Sequence, residues 1–195
     1  MKAIKILAVL GLFSLLAACA GTDFVRPADS TYSLGSTTKQ QILEKQGKPY
    51  RQGQVTKNNE ALESFSYAYA ATGGDALYSG VVPARSLGFY FSNNILVGKE
   101  FVSSFKSDAS DFDESKMKAI TKGVSTKEQV IALLGNPSGS YIYPLIKNKE
   151  DTAMVYQYTQ AKGTAFNMKF YQKLLVISFN NNVVTDIEYT SSGEK

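Results

Sequence analysis

The sequence predicts an α+β protein made of two tandem α-β-β-β units, each an antiparallel three-stranded sheet with one covering helix. Three observations lead there. A segment beginning at Gly35 recurs 88 positions later, alternating aromatic and polar residues follow each copy, and adjacent asparagine pairs punctuate those stretches. With 44% hydrophobic and 19% charged residues the chain can bury a core. Its 12 Tyr and 11 Phe, without Trp, suit antiparallel strands. It has no histidine and one cysteine, which removes imidazole triads, His- or Cys-ligated zinc and an intramolecular disulfide.

Residues 1–18 read as a targeting segment. Lys2 and Lys5 form a basic start, and Ile6 to Leu16 is an apolar run. That run is shorter than the roughly 20 residues needed to span a bilayer, but has the length of a signal-peptide core. It ends in Leu16-Ala17-Ala18-Cys19, which matches the bacterial lipobox at all four positions. The match implies cleavage between Ala18 and Cys19, a diacylglyceryl group on the thiol, and acylation of the new amino terminus by a chain such as palmitate. Several acyl chains make anchoring durable, because each buried CH₂ contributes roughly 0.8 kcal/mol. Ala20, where inner-membrane retention would call for Asp, favours the outer membrane by resemblance to enterobacterial lipoproteins. Loss of Lys2 and Lys5 lowers the formal charge from +4 to +2, so the basic balance is no argument for nucleic acid. Residues 19–33, small and polar without periodicity, read as a lipidated tether.

The first unit is expected over 34–104 and the second over 119–190, with a polar linker at 105–118 and a tail at 191–195. Gly35 to Pro49 and Gly123 to Pro137 agree at six of fifteen positions. In the second copy Ser125 or Thr126 can cap a helix, Glu128 complements its positive end, and Val130, Leu133 and Leu134 share a face. Gly135 and Pro137 end it. The first copy repeats this with Thr37 or Thr38, Ile42, Leu43, Gly47 and Pro49. Strands then follow around Phe65–Tyr69, Leu87–Phe91 and Ile95–Phe101, and around Met154–Thr159, Leu175–Phe179 and Val183–Tyr189. Asn93-Asn94 and Asn181-Asn182 read as tight hairpin turns. Phe65-Ser66-Tyr67 aligns with Tyr156-Gln157-Tyr158 at an offset that drifts to 91.

The second copy, with KGVSTKEQVIALLGNPS at 122–138 and LLVISFNNNVVTDIEY at 174–189, resembles the SmpA/OmlA (BamE-like) family of outer-membrane lipoproteins. Gly123, Thr126, Val130, Leu134, Gly135 and Pro137 carry the match, and the first copy follows it more weakly. The tandem arrangement is also similar to the β-lactamase-inhibitor-protein fold. The resemblance implies a non-enzymatic protein, without cofactor, held on the periplasmic side of the outer membrane. It implies envelope protein partners, including β-barrel assembly machinery. The inhibitor fold implies an alternative, a lipid-anchored module acting on a periplasmic hydrolase through an interstrand loop.

Candidate sites divide accordingly. Gly73-Gly74-Asp75 lies in a long interstrand connection, where Asp75 either enters a partner's cleft or forms a plain turn. Tyr141, Tyr143 and Leu145, with Ile146, form an apolar partner-binding patch if exposed and close the core if folded back. Asp108, Asp111, Asp113 and Glu114 lack the spacing of a calcium loop and read as a solvated linker that caps the following helix. Glu100 and Glu188, placed alike by the repeat, would need a separation of about 5–10 Å to act as an acid pair. Lys116, Lys118, Lys122, Lys127, Lys147 and Lys149 read as solubilising charge rather than a head-group site. No catalytic residue and no metal site is expected.

Overall fold

Thr38 and Thr126 open the two α-helices by the same device. Each threonine hydroxyl accepts from the N–H three residues on, and the glutamine there, Gln41 or Gln129, accepts from the threonine N–H. Helix α1 spans Lys39–Gln46 and α2 spans Lys127–Leu134. Both stop at a glycine with positive φ, 74° at Gly47 and 81° at Gly135. Ile42 and Val130, equivalent in the repeat, are fully buried. The computed structural model describes residues 21–71, 73–164 and 166–194. The expected signal segment, with Ala18 and Cys19, lies outside the described residues.

The strands are β1 (Arg51–Lys57), β2 (Glu60–Ala70), β3 (Ala84–Ser92), β4 (Ile95–Ser103), β5 (Gly139–Ile142), β6 (Thr152–Thr164), β7 (Asn167–Asn180) and β8 (Val183–Gly193). They form one antiparallel sheet in sequence order. This differs from two three-stranded sheets: each helix is followed by four strands, and the halves share a sheet through β4 and β5. β1 escapes a reading based on apolar alternation because it is polar and mostly exposed, and β5 because it has four residues. Asn58-Asn59 between β1 and β2 is a third pair of the kind already noted. All six asparagines have positive φ, the conformation that two-residue hairpins of this hand require.

The duplication reappears in the hydrogen bonds. Gly35 N–H donates to Leu96 O and Gly123 N–H to Val184 O, both at 2.8 Å. Leu96 N–H reaches Thr37 O and Val184 N–H reaches Ser125 O, both at 2.9 Å. A bulge falls at Tyr90/Phe91 and again at Ser178/Phe179. One alignment is corrected. Tyr67 pairs with Leu87 and donates to Gly47 O, whereas Tyr156 pairs with Leu175 and donates to Gly135 O. Tyr67 therefore corresponds to Tyr156, not Tyr158, because both rings reach the end of the preceding helix.

Side-chain alternation gives the sheet two faces. On the front, α1 covers a core with Phe65, Leu87, Phe89 and Phe101, and α2 covers one with Tyr156, Leu175, Ile177 and Phe179. On the back, Tyr141, Ile146, Ala153 and Val155 form a third cluster. Residues 21–33, expected as a tether, pack on the first half: Tyr32 is buried, Phe24 lies against the same core, and Asp23 bonds Arg85 at 2.6 Å. Three apolar side chains, counting Leu34, suffice to dock a segment that has no periodicity. The linker is likewise ordered. Phe112 is buried in the second core, and Asp113 caps the 3-10 turn Glu114–Ala119. Asp111 and Glu114 hold the buried ammonium of Lys173 at 2.7 and 2.9 Å.

Candidate functional site

Only three residue pairs join β4 to β5: Gly98 with Tyr141, Lys99 with Ser140, and Glu100 with Gly139. Glycines make this seam close. A Cβ on Gly139 would stand 2.3 Å from Lys99 O, and one on Gly98 would stand 2.8 Å from the Tyr141 ring. On Gly88 it would meet Glu100 Cγ at 2.9 Å. The cleared space on the back face holds the Glu100 carboxylate between two hydroxyls. Tyr90 donates to it at 2.9 Å and Tyr141 donates to its other oxygen. The two rings meet edge to face at 5.8 Å. Burial pushes the Glu100 carboxyl up, while the hydroxyls of Tyr141 and Tyr90 favour its charged form and oppose the shift. Burial, then the Glu100 charge, holds the Tyr141 phenol well above its usual range.

On the front face the same seam forms the floor of a groove between residues 26–34 and the start of α2, with a cavity of 470 Å³. Phe89, Phe101 and Met154 supply apolar surface, and Arg26, Lys99 and Lys127 supply positive charge. Arg26 crosses the seam, donating to Pro137 O at 2.8 Å and to Asp29 at 3.2 Å. Lys99 donates to Tyr32 O at 2.7 Å and to Asp29 O. Burial lowers its ammonium pKa, with Asp29 opposing and Arg26 reinforcing the shift. Lys127 reaches the Thr152 hydroxyl, at 3.1 Å, and lies over the Phe179 ring. An apolar floor with a cationic rim suits binding of an apolar segment that carries negative charge.

Of the groove's cations the sequence singled out Lys127, read there as solubilising charge, but neither Arg26 nor Lys99. Arg26 sits in the presumed tether, and Lys99 becomes a groove residue only when β4 meets β5. The back-face seam left a signal, because Gly88, Gly98 and Gly139 lie inside strands, where glycine marks close approach. Tyr141 is buried, Tyr143 donates to Glu60 at 2.9 Å, and Leu145 packs on the back-face cluster. The structure thus brings these three together folded back on the sheet. Asp75 lies apart from them and is exposed, with its carbonyl accepting from Lys106 N–H at 2.8 Å. Glu100 and Glu188 are four strands apart, roughly 19 Å at the usual strand spacing. Glu188 instead bonds Lys147 at 2.7 Å. Among the described residues no group of His, Cys, Asp or Glu could hold a metal ion.

Residues 112–189 match the family model described as "Outer membrane protein assembly factor BamE domain", the resemblance expected from residues 122–189. No curated protein matches the chain significantly. A crystal structure of a provisionally named beta-lactamase inhibitor protein from Streptococcus mutans is similar over 91% of this chain and 94% of that one. The identity is 13% and the TM-score 0.39.

Proposed function

We propose that the chain is a non-enzymatic lipoprotein, anchored through Cys19 to the periplasmic side of the outer membrane, that binds envelope proteins during outer-membrane protein assembly. The match of residues 112–189 to the assembly-factor domain carries this reading. The groove supports it physically: it offers apolar surface and positive charge at the joint of the two halves. Asp75 and the β2–β3 connection belong to the alternative, inhibition of a periplasmic hydrolase.

Cross-linking of the protein in intact cells, followed by identification of its neighbours, tests the reading. Components of the β-barrel assembly machinery are expected, and deletion of the gene should admit large antibiotics and detergent. An intact barrier together with recovery of a hydrolase alone would overturn it. Cys19→Ser should move the protein from the membrane to the soluble fraction.

A further inference from the structure

We propose that the two outer edges of the sheet pair between copies of this chain, β8 of one copy receiving β1 of the next. The inference rests on the seam and stands apart from the assembly reading. Within one chain the free edge of β4 is filled by β5, the first strand of the second half. The repeat puts β8 where β4 stands and β1 where β5 stands. Gly98, Lys99 and Glu100 correspond to Asp186, Ile187 and Glu188; Gly139, Ser140 and Tyr141 correspond to Arg51, Gln52 and Gly53. The registers agree, since Arg51 pairs with Ser66 on β2 as Gly139 pairs with Val155 on β6. The same junction is therefore presented twice and used once.

The side chains suit this pairing. Inside the chain, Gly98 faces Tyr141 and Gly139 faces Glu100, so each pair sets a glycine against a larger residue. Between copies, Asp186 would face Gly53, again a glycine opposite a larger residue, and Glu188 would face Arg51, an opposite-charge pair. Arg51 is exposed and makes no ion pair among the described residues. Glu188 uses one carboxylate oxygen on Lys147 and is half exposed. The start of β8 is occupied, because residues 123–126 bond Val183 and Val184 just as residues 35–38 bond Ile95 and Leu96. The open stretch of β8 thus begins where β4 accepts β5. Charge also selects the pairing. Arg51 and Lys57 on β1 repel a second β1, whereas Asp186 and Glu188 on β8 are already paired with Lys122 and Lys147. The contact is head to tail and propagates.

The test uses the full chain extracted from envelopes in detergent, carrying Gln52→Cys with Ile187→Cys. Oxidation should give a ladder of covalent dimers, trimers and larger species. Ile187→Cys alone, the out-of-register pair Gln52→Cys with Thr190→Cys, and the unsubstituted chain with its Cys19 should give none. Independently, Glu188→Arg should weaken association in sedimentation velocity by about tenfold or more, and Arg51→Glu in the same chain should restore it. Far-UV circular dichroism checks that these exposed-edge variants fold. A monomer at every concentration without a ladder overturns the proposal. So does a symmetric dimer through Ile187→Cys alone, or capture of a different protein at that position.

Discussion

Gly139→Ala tests the seam most directly. The added methyl would stand 2.3 Å from Lys99 O and 2.8 Å from Glu100 Cα, where about 3.5 Å is comfortable for carbon. Both obstacles are backbone, so no side chain can rotate away and the strands must part by about 1 Å. Three residue pairs join β4 to β5, and Gly139 belongs to one of them, so the disturbance reaches all three. Overpacking of this kind costs about 1–3 kcal/mol, and the rigid obstacles put it at the upper end. Removing a glycine returns about 0.4–1 kcal/mol through the unfolded chain, leaving a net loss of about 2 kcal/mol. With a urea slope of about 2 kcal/mol/M, the midpoint followed by far-UV circular dichroism should fall by about 1 M. Gly53→Ala on β1 is the control: its methyl would meet only the Ser64 hydroxyl, at 3.1 Å, and the midpoint should barely move. Equal midpoints for Gly139→Ala and the unsubstituted chain would refute the reasoning.

Further outcomes follow from other parts of the molecule. Lys173→Ala takes the ammonium from Asp111, which is 12% exposed and keeps the Tyr78 hydroxyl and the Phe112 N–H, and should cost about 3 kcal/mol in the same titration. Tyr67→Phe and Tyr156→Phe each lose a bond to a helix-ending glycine carbonyl. Each should cost about 1 kcal/mol, and similar costs in the two halves would agree with the duplication. Stability should also respond to pH in two stages. The raised Glu100 carboxyl is protonated in the folded state before the unfolded one, so its penalty is relieved as pH falls through its folded pKa. Asp186, held at about 2 first by Lys122, contributes stability present above its usual 3.8 and lost as pH falls toward 2. Thermal midpoints should therefore rise on mild acidification and fall below about pH 4. Glu100→Gln should remove the rise and leave the fall.

The helices were legible because their signals are local. Ser125 or Thr126, Gly135 and Pro137 act within a few residues of the helix they bound, and the repeat writes the same instruction at Thr37 or Thr38, Gly47 and Pro49; the reach of Gln41 and Gln129 back to the cap emerged from the structure. Strands with apolar alternation were legible for the same reason, and so were the Asn-Asn turns. β1 and β5 were not, since their membership rests on pairing with β2, β4 and β6 rather than on a buried face of their own. Glu100 invited comparison with Glu188, but its environment depends on Gly88, Tyr90 and Tyr141, drawn from two other strands.

By itself, then, the sequence determined the doubling, the capped helices, the hairpins and the resemblance of the second half to an assembly-factor domain, all set by neighbours along the chain. Only the tertiary structure decided that the halves share one sheet, that residues 21–33 dock on it, and that a cationic groove and an enclosed carboxylate lie on opposite faces of the seam. The docked segment depends on a core that β2, β3 and β4 assemble; the rest depends on the register between β4 and β5, whose partners stand about 40 residues apart in the chain and meet only where glycines let two backbones come close.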